Sequence, residues 1–134
     1  MSKQDDIQKI LDEWKHEYGV SDYRITFMGW HELKADNPKS VRLGQCNYYL
    51  KSYLSSSVYA EIRLGIGFKD RRLGWLEKSV LWHEFCHACA FIEDERDDAH
   101  NDHWRDLRRR KWWYVLGEYI ADFTYSLMIN VRKG

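Results

Sequence analysis

The stretch Leu81-Trp-His-Glu-Phe-Cys-His-Ala88 decides how the fold of this chain is interpreted. It lies inside a longer segment, Leu73 to Ile92, whose apolar residues recur at helical spacing. On a helix, His83 and His87 stand one turn apart, and two imidazoles on one face can bind the same metal ion. Glu84 lies about 100° around the helix from His83, so it can approach a water at the metal without being a ligand. The stretch therefore predicts a zinc-binding helix with a general base.

Composition limits the classes of protein that this chain can belong to. Its 134 residues are 44% hydrophobic and 16% aromatic, which is enough to build a core and predicts one domain over 1–134. Lys plus Arg and Asp plus Glu both number 21, so a globally basic nucleic-acid binder is not expected. The polar N-terminus and the lack of a long apolar run predict a soluble, cytoplasmic protein. An odd number of cysteines, three, does not indicate a disulfide framework.

The segments around the central helix predict an α+β domain. Before it, apolar spacing predicts a first helix over residues 5–18, ending at Gly19, and three segments rich in strand formers follow. Gly65 and Gly67 are expected to mark a bulge or a close backbone approach. From Trp104 onward, the spacing predicts one long helix or two short ones. The three predicted strands, which form a small sheet, cover 22–30, 41–50 and 58–68.

Two zinc ligands require a third, and the residues leave more than one choice. The metzincin pattern would place Gly at position 90 and His at position 93, and the chain has Ala90 and Glu93. The candidates that remain are His100, Glu118 and, as a weaker option, His103.

The two main candidates for the third ligand belong to different kinds of metallopeptidase. His100 precedes Trp104 by four residues, whereas Glu118 begins a helical Glu-x-x-x-Asp pattern, like the ligand motif of the gluzincins, that ends at Asp122. If His100 is the ligand, Glu118 and Asp122 are expected on a solvated helix face.

Four short motifs follow one another in an order that resembles the SprT-like family, which includes the Spartan proteases. The resemblance covers about residues 5 to 112. The motifs are Arg42-Leu-Gly-Gln-Cys46, Ala60-Glu-Ile-Arg-Leu64, His83-Glu-Phe-Cys-His-Ala88 and His100-x-x-x-Trp104.

The SprT-like resemblance implies a zincin-like metallopeptidase domain. It implies Zn²⁺ held by His83, His87 and His100, with Glu84 as general base, and hydrolysis of peptide bonds in proteins bound to DNA. The chain departs from the family at Asn101, where a glycine is usual. No cysteine pairs follow position 89, so the zinc ribbon of many bacterial members is absent from this sequence.

A basic cluster next to two tryptophans supports a second class of function. Arg108, Arg109, Arg110 and Lys111 precede Trp112-Trp113, and single-stranded DNA binds to surfaces that combine cations with aromatic rings. We therefore expect contact with single-stranded DNA here. The alternative function for the chain is that of a zinc-stabilised nucleic-acid-binding module without catalysis. Intact Glu84 argues against that alternative, because a structural zinc site needs no base.

Two further expectations concern packing. Cys86 and Cys89 are predicted to be small buried residues rather than a redox pair, because they lie in the middle of the helix. Cys46 is predicted to pack within a strand, and Trp104 to hold the His100 segment in place.

Overall fold

A computed structural model describes residues 2–35, 42–49, 59–94 and 102–133. The described elements confirm the α+β class. In chain order they are α1 (Lys3–Glu17), β1 (Arg24–His31), β2 (Gly44–Tyr49), β3 (Tyr59–Gly65), α2 (Trp75–Asp94), α3 (Asp102–Arg109) and α4 (Trp112–Lys133).

The first helix forms because its sequence supplies both a cap and an apolar stripe. The Ser2 side chain accepts a hydrogen bond from the backbone N–H of Asp5 at 3.1 Å, which satisfies one of the free donors of the first turn. Ile7, Leu11 and Trp14 recur on one face and are buried, which confirms the predicted helix. Through this face α1 contributes to the core, where the Trp14 ring meets Trp82 of α2 edge-to-face at 5.1 Å.

The three described strands form one mixed sheet in the order β1-β3-β2. β1 runs parallel to β3, and β2 runs antiparallel to β3. Of the two interpretations of Gly65 and Gly67, a close approach is found at Gly67, where a Cβ atom would lie 3.2 Å from Cε1 of Tyr125. The sheet irregularity lies in β1, between Phe27 and Trp30. Gly29, with a φ of +88°, supplies the backbone conformation needed there. Because β3 lies between β1 and β2, β2 is at an edge of the described sheet.

The third strand is shorter than its sequence pattern predicts. β3 ends at Gly65, and Ile66–Phe68 form a short 3-10 turn in place of the predicted continuation to residue 68. Apolar residues in this segment continue past the strand because Phe68, in the turn, is buried in the same core.

The second helix is the centre of the molecule. α2 packs against β2 and β3, and also against α3 and α4. Trp82, Phe85 and Cys86 on this helix are fully buried, because neighbours surround it on several sides. The C-terminal segment forms two helices, α3 and α4, which decides between the two predicted arrangements. None of the helices in the described part of the chain has the length and apolarity to cross a membrane.

Candidate metal centre

The two histidines of α2 converge on one point. Nε2 of His83 and Nε2 of His87 lie 3.0 Å apart. With Glu84, they form a group whose potential ligand atoms all lie within 4.8 Å of one another. Helical spacing produces this arrangement directly, since residues four apart stand one above the other. The His-Glu-His group can hold a metal ion, as the sequence pattern predicts.

Glu84 is buried beside the two histidines. Only 6% of the residue is exposed, and its Oε1 lies 3.8 Å from Nε2 of His83. Burial raises the pKa of the Glu84 carboxyl, and the nearby His83 only partly offsets this. Glu84 is therefore held close to the histidine nitrogens in an environment that makes it a stronger base.

A glycine in β2 lets the sheet approach Glu84 closely. A Cβ atom at Gly44 would lie 2.8 Å from Cγ1 of Val80 and 2.9 Å from Cγ of Glu84. Both distances are too short for any side chain at this position. Gly44, the glycine of the Leu-Gly-x-Cys motif, therefore allows β2 to pack directly on the face of α2 that carries Val80 and Glu84.

Glu118 of α4 contacts the opposite edge of the His83 ring. Its Oε1 lies 2.8 Å from Nδ1 of His83, whereas Nε2 faces His87. An ion bound at Nε2 would be separated from this carboxylate by the ring itself. Glu118 thus occupies the position of a group that orients a ligand, and this geometry does not favour Glu118 as the third ligand.

Glu118 is also paired with an arginine of α3. Nε and Nη2 of Arg108 donate to Oε2 of Glu118 at 3.2 and 3.1 Å. Burial acts to raise the pKa of Glu118, but His83 and Arg108 together outweigh it, and the pKa is lowered. Glu118 and Asp122 were both expected on a solvated face of their helix. This is wrong for Glu118, whose side chain is only 20% exposed, whereas Asp122 is exposed as expected.

Glu118 reaches the site because α4 crosses α2 at close range. A Cβ atom at Gly117 would lie 2.0 Å from Oγ of Ser79, so only glycine allows this crossing. The sequence offers Gly117-Glu118 as a signal, but the pattern does not reveal which helix the glycine will face.

The protein groups around His83 favour its charged form. Burial acts to lower the pKa of His83, but the carboxylates of Glu118 and Glu84 outweigh burial, and the pKa is raised. The same negative charge would favour a metal cation at Nε2, where the cation takes the place of the proton.

A tryptophan of α3 forms one wall of the site. The Trp104 ring stacks on His87 at 4.9 Å and meets His83 edge-to-face at 5.2 Å. The guanidinium of Arg108 lies over the same ring at 4.8 Å. Trp104 was expected to hold the segment of His100, and its described contacts are with the histidine pair itself.

Of the other two candidate histidines, the structure describes only His103. His100 lies outside the described residues, so its role as a ligand stays a prediction. His103 contacts Glu93, at the end of α2, through its Nε2. Among the described residues, His103 is not a member of the His-Glu-His group.

A cleft runs from the His-Glu-His group along β2. It has a volume of about 700 Å³, and its walls include Glu84, the two histidines of α2 and the whole length of β2. A second cavity of about 300 Å³ lies on the other side of Glu84 and His83, toward α4, where Tyr119 and Asp122 line it. The candidate site is thus accessible from two directions.

The basic cluster is divided by the structure. Arg108 pairs with Glu118, and Lys111 pairs with Glu17 at 3.0 Å. Arg109 and Arg110 are exposed, at the end of α3 and in the link to α4. The two tryptophans at the start of α4 are exposed as well: 66% of Trp112 and 40% of Trp113 is accessible to solvent.

Comparisons with protein-family models, with curated proteins and with solved structures find no match for this chain. The functional interpretation therefore rests on the His-Glu-His group on its helix and on the groups that surround it.

Proposed function

We propose that this chain is a zinc-dependent endopeptidase that cleaves an extended segment of substrate lying along β2. The observation that carries the proposal is that the His-Glu-His group shares one cleft with an edge strand. Edge strands have backbone donors and acceptors that can pair with an added strand. A metal site that only stabilises a fold needs neither a substrate-sized cleft nor a buried carboxylate beside it.

The metal would be held by His83, His87 and His100. Two ligands of a tetrahedral zinc, each about 2.0–2.1 Å from the ion, lie about 3.3 Å from each other. The Nε2 atoms of the described pair, 3.0 Å apart, fit that arrangement. The choice of His100 rests on the SprT-like motif order. When bound, zinc supplies Lewis acidity, which lowers the pKa of water toward about 7 and polarises the scissile carbonyl.

Glu84 moves the proton. It accepts a proton from the attacking water and delivers that proton to the nitrogen of the departing amine. Its burial supports this role, because a carboxylate with a raised pKa takes up a proton more readily near neutral pH. Oε1 of Glu84 lies 3.8 Å from Nε2 of His83, so the base is next to the histidines but further from Nε2 of His83 than His87 is.

Glu118 and Arg108 orient His83. The carboxylate of Glu118, 2.8 Å from Nδ1, favours a proton on that nitrogen, so the neutral ring keeps its lone pair on Nε2, which is the tautomer that binds a metal. Arg108 in turn fixes the carboxylate through two donated hydrogen bonds. The carboxylate and the guanidinium together hold one metal-binding nitrogen pointed at its partner in His87.

A narrower proposal is that the substrates are proteins bound to nucleic acid. It is supported by the exposed surface at the end of α3 and the start of α4. Arg109, Arg110 and Trp112 are exposed there, and cations beside an aromatic ring suit single-stranded DNA. The rival function, a zinc-stabilised binding module without catalysis, would use the same surface. The peptidase requires Glu84 as a base, whereas the binding module does not.

Cleavage of an unfolded protein tests the peptidase proposal. We expect the zinc-loaded chain to generate new N-termini in a denatured protein, detected by mass spectrometry, and a chelator to abolish them. A chain that binds zinc stoichiometrically and generates no new termini would favour the binding module.

A metal-competition titration tests the third ligand. His100→Ala is expected to weaken zinc binding strongly, whereas His103→Ala, a matched histidine outside the site, is expected to leave it unchanged. The reverse ranking would remove His100 from the ligand set.

A further inference from the structure

The outer face of α4 is apolar over most of the helix. Seven of its large hydrophobic residues are 39–70% exposed. The six that follow the first residue of the helix are defined here as the α4 seam and comprise Trp113, Leu116, Tyr119, Ile120, Phe123 and Leu127. The opposite face of the helix packs on α2 through Gly117 and Ala121, so α4 is held in place without the seam.

The spacing of the seam is that of a surface made for another helix. Trp113, Ile120 and Leu127 repeat every seven residues, and Leu116 and Phe123 repeat in the same way between them. Residues at alternating intervals of three and four form the contact line of paired helices. A substrate strand or a flat surface would not require this period.

The size of the seam matches half of a stable interface. Aromatic side chains offer roughly 150–250 Å² each and Leu or Ile somewhat less, so three of each kind that are about half exposed present on the order of 600 Å². That value reaches the upper limit of the largest apolar patch on a typical monomer, about 300–600 Å². Two such faces together bury about 1,200 Å², the lower end of specific protein interfaces.

We propose that the α4 seam is the interface of a homodimer, in which α4 of one copy packs against α4 of a second copy. A two-fold axis uses the same patch twice, so the seam is complementary to itself without a further component. The formal net charge of the chain is zero, so two copies do not repel each other through their overall charge.

Charged groups beside the seam are compatible with this pairing. The carboxylate of Glu118 is already paired with Arg108 and points toward His83, away from the seam. Tyr119 of the seam also lines the smaller cavity beside His83 and Glu84, so the second copy would stand next to the candidate site. The proposal does not depend on metal binding or on catalysis.

Sedimentation velocity of the full chain tests the dimer. We expect a particle of twice the chain mass of 16.3 kDa over the micromolar range. Phe123→Glu and Ile120→Glu place a charge in the seam and are expected to give the mass of one chain. Both residues are exposed in the single chain, so each variant should fold, which circular dichroism verifies.

Asp122→Lys, an exposed position on α4 outside the seam, is the matched control and is expected to stay dimeric. Wild-type protein at the mass of one chain would overturn the proposal and leave the seam to a helix of another protein. A dimer that survives both Glu substitutions would overturn it as well, because the interface would then lie elsewhere.

Discussion

Oε1 of Glu118 lies 2.8 Å from Nδ1 of His83, on the edge of the ring opposite to the nitrogen that faces His87. A carboxylate in this position fixes both the tautomer and the orientation of a metal-binding imidazole. The contact joins α4 to α2 at the candidate metal centre. This contact explains why α4 is part of the site although α4 supplies no residue of the His-Glu-His group.

Replacing Glu118 is expected to weaken zinc binding without removing it. Loss of an outer carboxylate partner typically costs about 10–100-fold in metal affinity. We expect Glu118→Gln to show a loss of this size in a competition titration with a chromophoric chelator.

Asp122→Asn is the control for charge in the Glu118 experiment. It removes the same charge one turn further along α4, from an exposed side chain. Equal losses in both variants would mean that overall charge, and not the contact with His83, determines the affinity.

Gly44→Ala is expected to disturb both the fold and the site. The added methyl group would meet Val80 and Glu84 at less than 3.0 Å, so β2 or the Glu84 side chain must move. Overpacking of this kind costs about 1–3 kcal/mol in the free energy of unfolding. Denaturant titration measures the cost, and peptide cleavage should fall further than stability alone explains.

Gly74→Ala provides the comparison, because its nearest atom would lie 3.8 Å from the added Cβ. A free energy of unfolding equally lowered in both variants would show that the close approach at Gly44 is not the cause.

Single-stranded DNA is expected to bind through Arg109 and Arg110. These two arginines are exposed, whereas Arg108 and Lys111 are held in ion pairs. Each phosphate neutralised should contribute a slope near −0.7 in the logarithm of affinity against the logarithm of salt concentration. Fluorescence anisotropy with a labelled oligonucleotide should therefore show weaker binding and a shallower slope for the Arg109→Ala, Arg110→Ala double variant.

A double variant of exposed lysines remote from this surface, Lys9→Ala with Lys69→Ala, removes the same charge and should bind as the wild type does. Binding that is equal in all three proteins would contradict contact at the end of α3.

The three thiols are expected to react at different rates. Cys86 and Cys89 are 0% and 2% exposed, and burial raises the pKa of both thiols. Cys46 is half-buried and lines the cleft. In the native chain, Ellman's reagent should therefore label Cys46 first, and all three thiols only after unfolding in guanidinium. Fast labelling of two or more native thiols would contradict the described packing.

The local elements of this fold follow from the sequence because their signals are local. Helical spacing of apolar residues predicts α1, and the His83–His87 interval predicts a shared face on α2. The sequence pattern places the end of the third strand at residue 68 instead of Gly65, and the reason is physical. Phe68 is as buried in a 3-10 turn as it would be in a strand, so apolar pattern alone could not separate the two.

The partners of the site could not be predicted, because they depend on contacts between elements far apart in the chain. The sequence leaves Glu118 open as either a ligand or a solvated residue. Its actual position depends on how closely α4 crosses α2, which Gly117 and Ser79 determine. Arg108 was interpreted as part of a nucleic-acid surface, and it is instead the partner of Glu118.

Zinc content and peptide cleavage, measured together on the wild type and Glu84→Gln, test the central claim most directly. The account predicts one zinc per chain in both proteins, because Glu84 is not a ligand, and cleavage of unfolded protein by the wild type alone. Loss of zinc from Glu84→Gln would make Glu84 a ligand. Cleavage by Glu84→Gln at the wild-type rate would contradict its role as the base, and a wild-type chain that takes up no zinc would contradict the account as a whole.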